Sequence, residues 1–188
     1  MRSRVTFVGM MMLIIFAACS DGKRELTIAE KKEYAVLGDS ISAAAQDELL
    51  RNVASAIQRG GVDHAVTFCN AKAMELSDSL SISYQAKIER LSDRNRNPAN
   101  AIQTSTDSAA WKALKSGERN FVARGDDRSV FYYKPILLGM PTCLKCHGGK
   151  PDIDESTGRL ISQMYPEDRA TGYRMGELRG MWKIEFEQ

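Results

Sequence analysis

The sequence predicts an α+β domain. Helical stripes occupy the first part of the chain, strand-like alternation dominates the later part, and short helical patterns are inserted between the strands. That order suits a few helices followed by an antiparallel sheet.

Each element has its own signal. Ile41, Ala45, Leu49, Val53 and Ile57 recur every four residues, which places them on one face of a long helix. Gly60-Gly61 is the expected stop. Asp63 is the expected N-cap of a second helix over 64–79, whose apolar stripe is Ala65, Phe68, Cys69, Ala73 and Leu76. The period then becomes two. Ile82, Tyr84, Ala86 and Ile88 alternate with Ser83, Gln85, Lys87 and Glu89, the pattern of a half-buried strand. "SDRNRNPAN" reads as a loop. Asp107 is expected to cap a short helix over 108–115 that carries Trp111 and Leu114, with Gly117 closing it. Segments 121–124 and 129–138 flank Gly125-Asp126-Asp127 and predict a hairpin. A short helix is expected over 155–164. Gly172, Gly176 and Gly180 mark bends before a final strand, where Trp182, Ile184 and Phe186 alternate with Lys183, Glu185 and Glu187.

The first eighteen residues have a different character. Arg2 and Arg4 precede an apolar run from Phe7 to Phe16, and Ala17-Ala18 lead to Cys19. This is the layout of an export signal, with a run too short for a comfortable bilayer span. Small residues before a cysteine suggest a lipobox, so cleavage before Cys19 and lipidation of its thiol are expected. The organisation is then a lipoprotein signal peptide (1–18), a tether (19–26) and one domain (27–188) on the periplasmic side of a bacterial membrane or at the cell surface. The chain holds 26 Lys+Arg against 24 Asp+Glu, and both surplus arginines belong to the signal. The remainder is balanced, which gives no electrostatic case for nucleic acid.

"MPTCLKCHGG" carries the chemistry. Cys143 and Cys146 are spaced to add their thiols across the two vinyl groups of one haem, and the adjacent His147 would then sit under the iron as an axial ligand. Gly148-Gly149 would let the backbone pass close to the porphyrin. Export strengthens this reading, because covalent haem attachment occurs outside the cytoplasm. A dithiol oxidoreductase would place its C-x-x-C at a helix N-terminus in a βαβ setting, whereas this motif follows a hairpin strand. A Cys₃His zinc site formed with Cys69 is the stronger rival, although a histidine directly after the second cysteine is a tight fit for tetrahedral geometry.

The second axial ligand has few candidates. His64 and Cys69 are five residues apart, about 140° around a helix axis, so both cannot face one haem. The apolar stripe contains Cys69 and leaves His64 on the exposed flank. Met140, Met164 and Met175 remain open on pattern alone. A thiolate ligand would favour ferric iron and a low potential, and if it left on reduction it would open a site for a diatomic gas.

Four stretches together resemble a known haem domain, long catalogued as a domain of unknown function. It is found in bacterial sensor ectodomains and as stand-alone c-type cytochromes. The stretches are "AVTFCNAKA" (Ala65 to Ala73), "RLSDRNRNPANA" (Arg90 to Ala101), "YYKPILLGMPTCLKCHGG" (Tyr132 to Gly149) and "GYRMGELRGMWKIEF" (Gly172 to Phe186). The resemblance implies a PAS-like antiparallel sheet with one covalent haem c. Carried over by position, it implies His147 and Cys69 as the axial pair and Cys143 and Cys146 as the thioether anchors. It also places the loop of Arg96, Asn97 and Asn100 near the pocket. There Arg96 either pairs a propionate or the asparagines merely hold the loop.

Three functions follow as expectations. The first is an exported, lipid-anchored mono-haem cytochrome c for low-potential electron transfer, working with a redox partner protein. The second is a haem-based sensor of redox state or of a small diatomic ligand, acting through a separate partner. The third is a zinc-stabilised interaction domain. No paired carboxylates or nucleophile–base set suggests an enzyme. The long first helix could pair with a copy of itself, giving a homodimer, or simply pack on the sheet.

Overall fold

The computed structural model describes residues 24–125 and 129–186, with the side chains of 73 and 74 excepted. The signal segment, Cys19, most of the tether, the hairpin-turn residues Asp126 and Asp127, Glu187 and the Ala73 side chain lie outside the described residues.

Helix α1 (Ile28–Tyr84) is really two arms. Thr27 and Glu30 form a reciprocal capping box at its start, with Glu30 N–H donating to Thr27 Oγ1 (3.2 Å) and Thr27 N–H to Glu30 Oε2 (2.8 Å). Leu26 is already buried, so the end of the expected tether belongs to the core. The arms meet at Gly60-Gly61, where Gly61 takes φ +78°, a left-handed conformation that glycine adopts without strain. Ile41, Ala45 and Leu49 of the first arm and Leu80 of the second pack on one cluster, so the chain doubles back at the glycines.

Two expectations for the second arm are corrected. Asp63 does not cap it; its carboxylate accepts from the Thr157 hydroxyl and ties the arm to a later helix. The arm also runs on to Tyr84, through the residues expected to begin a strand. Ile82 and Tyr84 are exposed there, 80% and 41%. The alternation at 82–88 spans a junction, with the last helical turn before Gln85 and a strand after it.

Strands β1 (Lys87–Leu91), β2 (Phe121–Arg124), β3 (Val130–Leu137) and β4 (Leu178–Phe186) form one antiparallel sheet of order β1-β4-β3-β2. Helix α2 (Ser105–Lys115) precedes β2. Helices α3 (Pro141–His147) and α4 (Glu155–Met164) lie between β3 and β4. The cap of α2 is Thr104, with Asp107 answering from the third helical position, so the helix begins three residues earlier than expected.

Both sheet faces are covered. Ile88, Tyr132, Trp182 and Ile184 face α1, while Leu91, Tyr133 and Met181 face Ala110, Trp111 and Leu114 of α2. This explains Lys183. Alternation predicts an exposed residue, yet Lys183 is 8% exposed because α2 lies over it. Its ammonium sits 3.2 Å from Asp107, which also accepts from the Tyr133 hydroxyl at 2.7 Å. On the opposite face α1 passes so close to Tyr132 that a Cβ on Gly38 would lie 2.1 Å from the ring. The result is an α+β, PAS-like arrangement, with an antiparallel sheet under a long N-terminal helical segment.

Candidate functional site

At one end of the sheet the helical hairpin, the end of β1 and helix α3 enclose a cavity of about 350 Å³. That lies within the range of small-molecule sites. Leu49, Val53 and Ile57 from the first arm of α1 make an apolar wall, and Ala65, Val66 and Cys69 continue it from the second. Cys143, Cys146 and His147 stand on another wall.

Helix α3 presents these residues. Pro141 occupies its first turn, where the missing N–H costs nothing. Cys143 and Cys146 are three positions apart, so they share a helix face. The motif does follow the hairpin strand β3, yet it is itself helical, in an antiparallel and not a βαβ setting. Chemistry also disfavours a redox dithiol. Burial pushes the Cys146 thiol up to about 11, and a reactive cysteine needs the opposite shift. Burial also raises Cys69, against the pull of the Arg90 and Arg96 charges. Cys69, Cys143 and Cys146 are free thiols.

His147 is held from behind. Gly172 N–H donates to the Gly148 carbonyl (2.7 Å) and Tyr173 N–H to the His147 carbonyl (2.9 Å), so segment 170–173 runs beside the end of α3. The Ala170 carbonyl lies 2.8 Å from His147 Nδ1. Two groups meet that nitrogen, the Ala170 carbonyl, which only accepts, and Arg179 Nε at 3.3 Å, which only donates; the closer carbonyl puts the proton on Nδ1 and leaves Nε2 its lone pair. Burial, then the Arg179 and Arg96 charges, hold the imidazole well below its ordinary pKa. Neutral imidazole with a free Nε2 is the form that binds a metal.

Gly148 has a different purpose from the one expected. A Cβ there would fall 2.6 Å from Asp152 Cβ and 2.7 Å from the Leu144 carbonyl. The Asp152 carboxylate caps Gly149 N–H at 2.9 Å. The glycine makes room for that turn, and neither Gly148 nor Gly149 lines the cavity.

The loop after β1 reaches the same cavity. Arg96, Asn97 and Asn100 line it. Asn97 Oδ1 accepts from Ala99 N–H (3.0 Å), and Ser92 N–H donates to the Asn100 carbonyl (2.9 Å), so backbone hydrogen bonds hold the loop. The Arg96 guanidinium is engaged through Nε and Nη2. Nε and Nη2 contact Asp168 at 3.1 and 3.2 Å, and Nη2 donates to the Cys146 carbonyl at 2.6 Å. Arg96 thus braces the C-x-x-C-H segment through the Cys146 carbonyl.

A family model matches residues 26–186, nearly all of the described chain. The chain belongs to the Tll0287-like family. A solved structure, that of the cyanobacterial heme-protein Tll0287, matches with a TM-score of 0.61 and 24% identity, covering 81% of this chain and 94% of that one. At that identity the likeness establishes the fold. No curated protein matches.

In this Tll0287-like chain Cys69, Cys143, Cys146, His147, Arg96, Asn97 and Asn100 share one cavity, and His64 is exposed outside it. Met140 lines the cavity too, but it immediately precedes α3 and so belongs to the wall of His147. Met164 and Met175 do not line it. Among the described residues no group of three His, Cys, Asp or Glu is placed to hold a metal ion by itself, which leaves the Cys₃His zinc set without support. Sequence reasoning missed Arg90 and Arg179. The signal for Arg90 was its place two residues after Ile88, on the inward face of β1; Arg179 carried none.

Proposed function

We propose that this protein is an exported, lipid-anchored haem c protein that transfers single electrons at low potential, with His147 and Cys69 as axial ligands and Cys143 and Cys146 as thioether anchors. The observation that carries the reading is the convergence of these four side chains on one cavity from segments over seventy residues apart in the chain. The likeness to the cyanobacterial heme-protein Tll0287 supports it.

The donor set fits the group. Each thiol would add its S–H across a vinyl group, sulfur to one carbon and hydrogen to the other, with no external oxidant. The Cys146 thiol, which burial keeps protonated, carries the hydrogen that its addition would use. The Ala170 carbonyl fixes the His147 tautomer that presents Nε2. Cys69 stands on the α1 wall and His147 on the α3 wall, the arrangement two axial ligands require. The haem would supply the one-electron ferric/ferrous couple, which an anionic sulfur ligand biases toward ferric. With both axial positions filled the role is electron carriage, without catalysis.

Residues 20–188 exported with haem-attachment machinery should carry covalent haem whose ferric spectrum has a thiolate signature, and Cys69→Ala should keep the haem but lose that signature. An unchanged ferric spectrum in the variant would refute the ligand assignment, and a colourless wild-type protein would refute the haem reading.

A further inference from the structure

Three guanidinium groups line the cavity, those of Arg90, Arg96 and Arg179, and no carboxylate does. Asp168 neutralises Arg96 from behind the wall. Among the described residues neither Arg90 nor Arg179 has a carboxylate partner. Arg90, in β1, rests on the Trp182 ring with its guanidinium carbon 5.9 Å from the centroid. Arg179, in β4, turns its Nε toward His147 Nδ1 (3.3 Å), donates through Nη1 to the Arg94 carbonyl (3.3 Å) and lies 5.6 Å from the centre of the Tyr173 ring, which leaves Nη2 for an occupant. Ring faces and a carbonyl stabilise a cation only in part.

The wall therefore carries two positive charges with no carboxylate in contact. Cations held this way in a folded protein call for anions in the cavity they face. Two further facts narrow the anion. The opposing wall of Leu49, Val53 and Ile57 is apolar, so the occupant has an apolar body. The two cations stand on neighbouring strands, Arg90 opposite Trp182 and Arg179 at the irregularity of the β3–β4 pairing, so the occupant meets two separate positive groups. A flat macrocycle with two propionates has this chemistry.

We infer that Arg90 and Arg179 each seat one haem propionate, while Arg96 remains with Asp168 as scaffold. This assignment rests on the haem reading above and deepens it. It also gives a charge match, because a ferric porphyrin bearing one thiolate is neutral and its two propionates balance the two arginines. Guanidinium groups suit the task, since their planar fork meets a carboxylate with two parallel hydrogen bonds.

The test uses resonance Raman spectra of the exported haem-bearing protein. The propionate bending modes fall in frequency when a charged hydrogen-bond donor is withdrawn. Arg90→Gln and Arg179→Gln should each lower one mode, and the double variant both. Arg59→Gln, which removes a cation stacked on Phe68 away from the cavity, should change neither. Unmoved modes in haem-bearing Gln variants would overturn the assignment and leave the haem reading intact. If the Gln variants carry no haem, Arg90→Lys and Arg179→Lys decide, because they keep the charge. Haem regained in the Lys variants supports the assignment, and Lys variants as empty as the Gln ones overturn it. A wild-type protein without haem overturns both readings together.

Discussion

Arg96 and Asp168 form a two-pronged ion pair, at 3.1 and 3.2 Å, between the loop after β1 and the segment that follows α4. The same guanidinium holds the Cys146 carbonyl, so one side chain couples three pieces of the cavity wall. The side chains are 13% and 9% exposed, which removes most solvent screening. Removing one partner leaves the other charge buried and alone. Arg96→Ala or Asp168→Asn should therefore destabilise the fold by about 3–5 kcal/mol, read as a lower denaturant midpoint. The double variant should cost less than the two singles combined. Additive losses would show that the two groups act independently.

Gly38 marks the closest approach of α1 to the sheet. Tyr132 is fully buried beneath it and has no free direction in which to move. Gly38→Ala should cost about 1–3 kcal/mol by overpacking, despite alanine's better helix propensity. Thermal unfolding of the variant checks this; an unchanged or higher midpoint would mean that the helix can lift without loss.

Asp107 predicts an acid limb of stability. Burial raises its pKa, but hydrogen bonds from Tyr133 and Thr104 and the Lys183 charge outweigh that, so the net shift is downward. A carboxylate depressed on folding contributes stability above its unfolded value, about 3.9, and loses it as pH falls toward the folded value. Wild-type stability should decline as pH drops below about 4. Asp107→Asn should be weaker at neutral pH and flatter across that acid range. Parallel pH profiles for the two proteins would exclude this role.

Cys19→Ala should move the protein from the membrane fraction to the soluble one, with its haem content unchanged. Fractionation followed by detection of the chain reads the outcome. Continued membrane association would remove the lipid anchor from the proposed function.

Much of this was legible in residue order. The four-residue repeat of Ile41 to Ile57 and the Gly60-Gly61 stop describe the first arm, and the β2–β3 hairpin and β4 lie where alternation put them. The cysteines and His147 were found because few residue types can do their chemistry. What failed was whatever depends on distant chain. Lys183 looks exposed until α2 covers it. The Ile82 to Ile88 alternation is blind to a helix end falling in its middle. Arg96 offers the same fork to a propionate or to Asp168, and only the fold brings Asp168 within reach. Arg179 has no local pattern to announce it.

The sheet order has a consequence for assembly. β4 lies between β1 and β3, yet it follows every other element in the chain. Until it inserts, the two outer parts of the sheet have nothing to join them, and Arg179 and Gly180 are missing from the cavity wall. Without β4 the C-x-x-C-H segment of α3 lacks its neighbours Arg179 and Gly180 in that wall. The pairing of one strand thus completes the sheet and the cavity together.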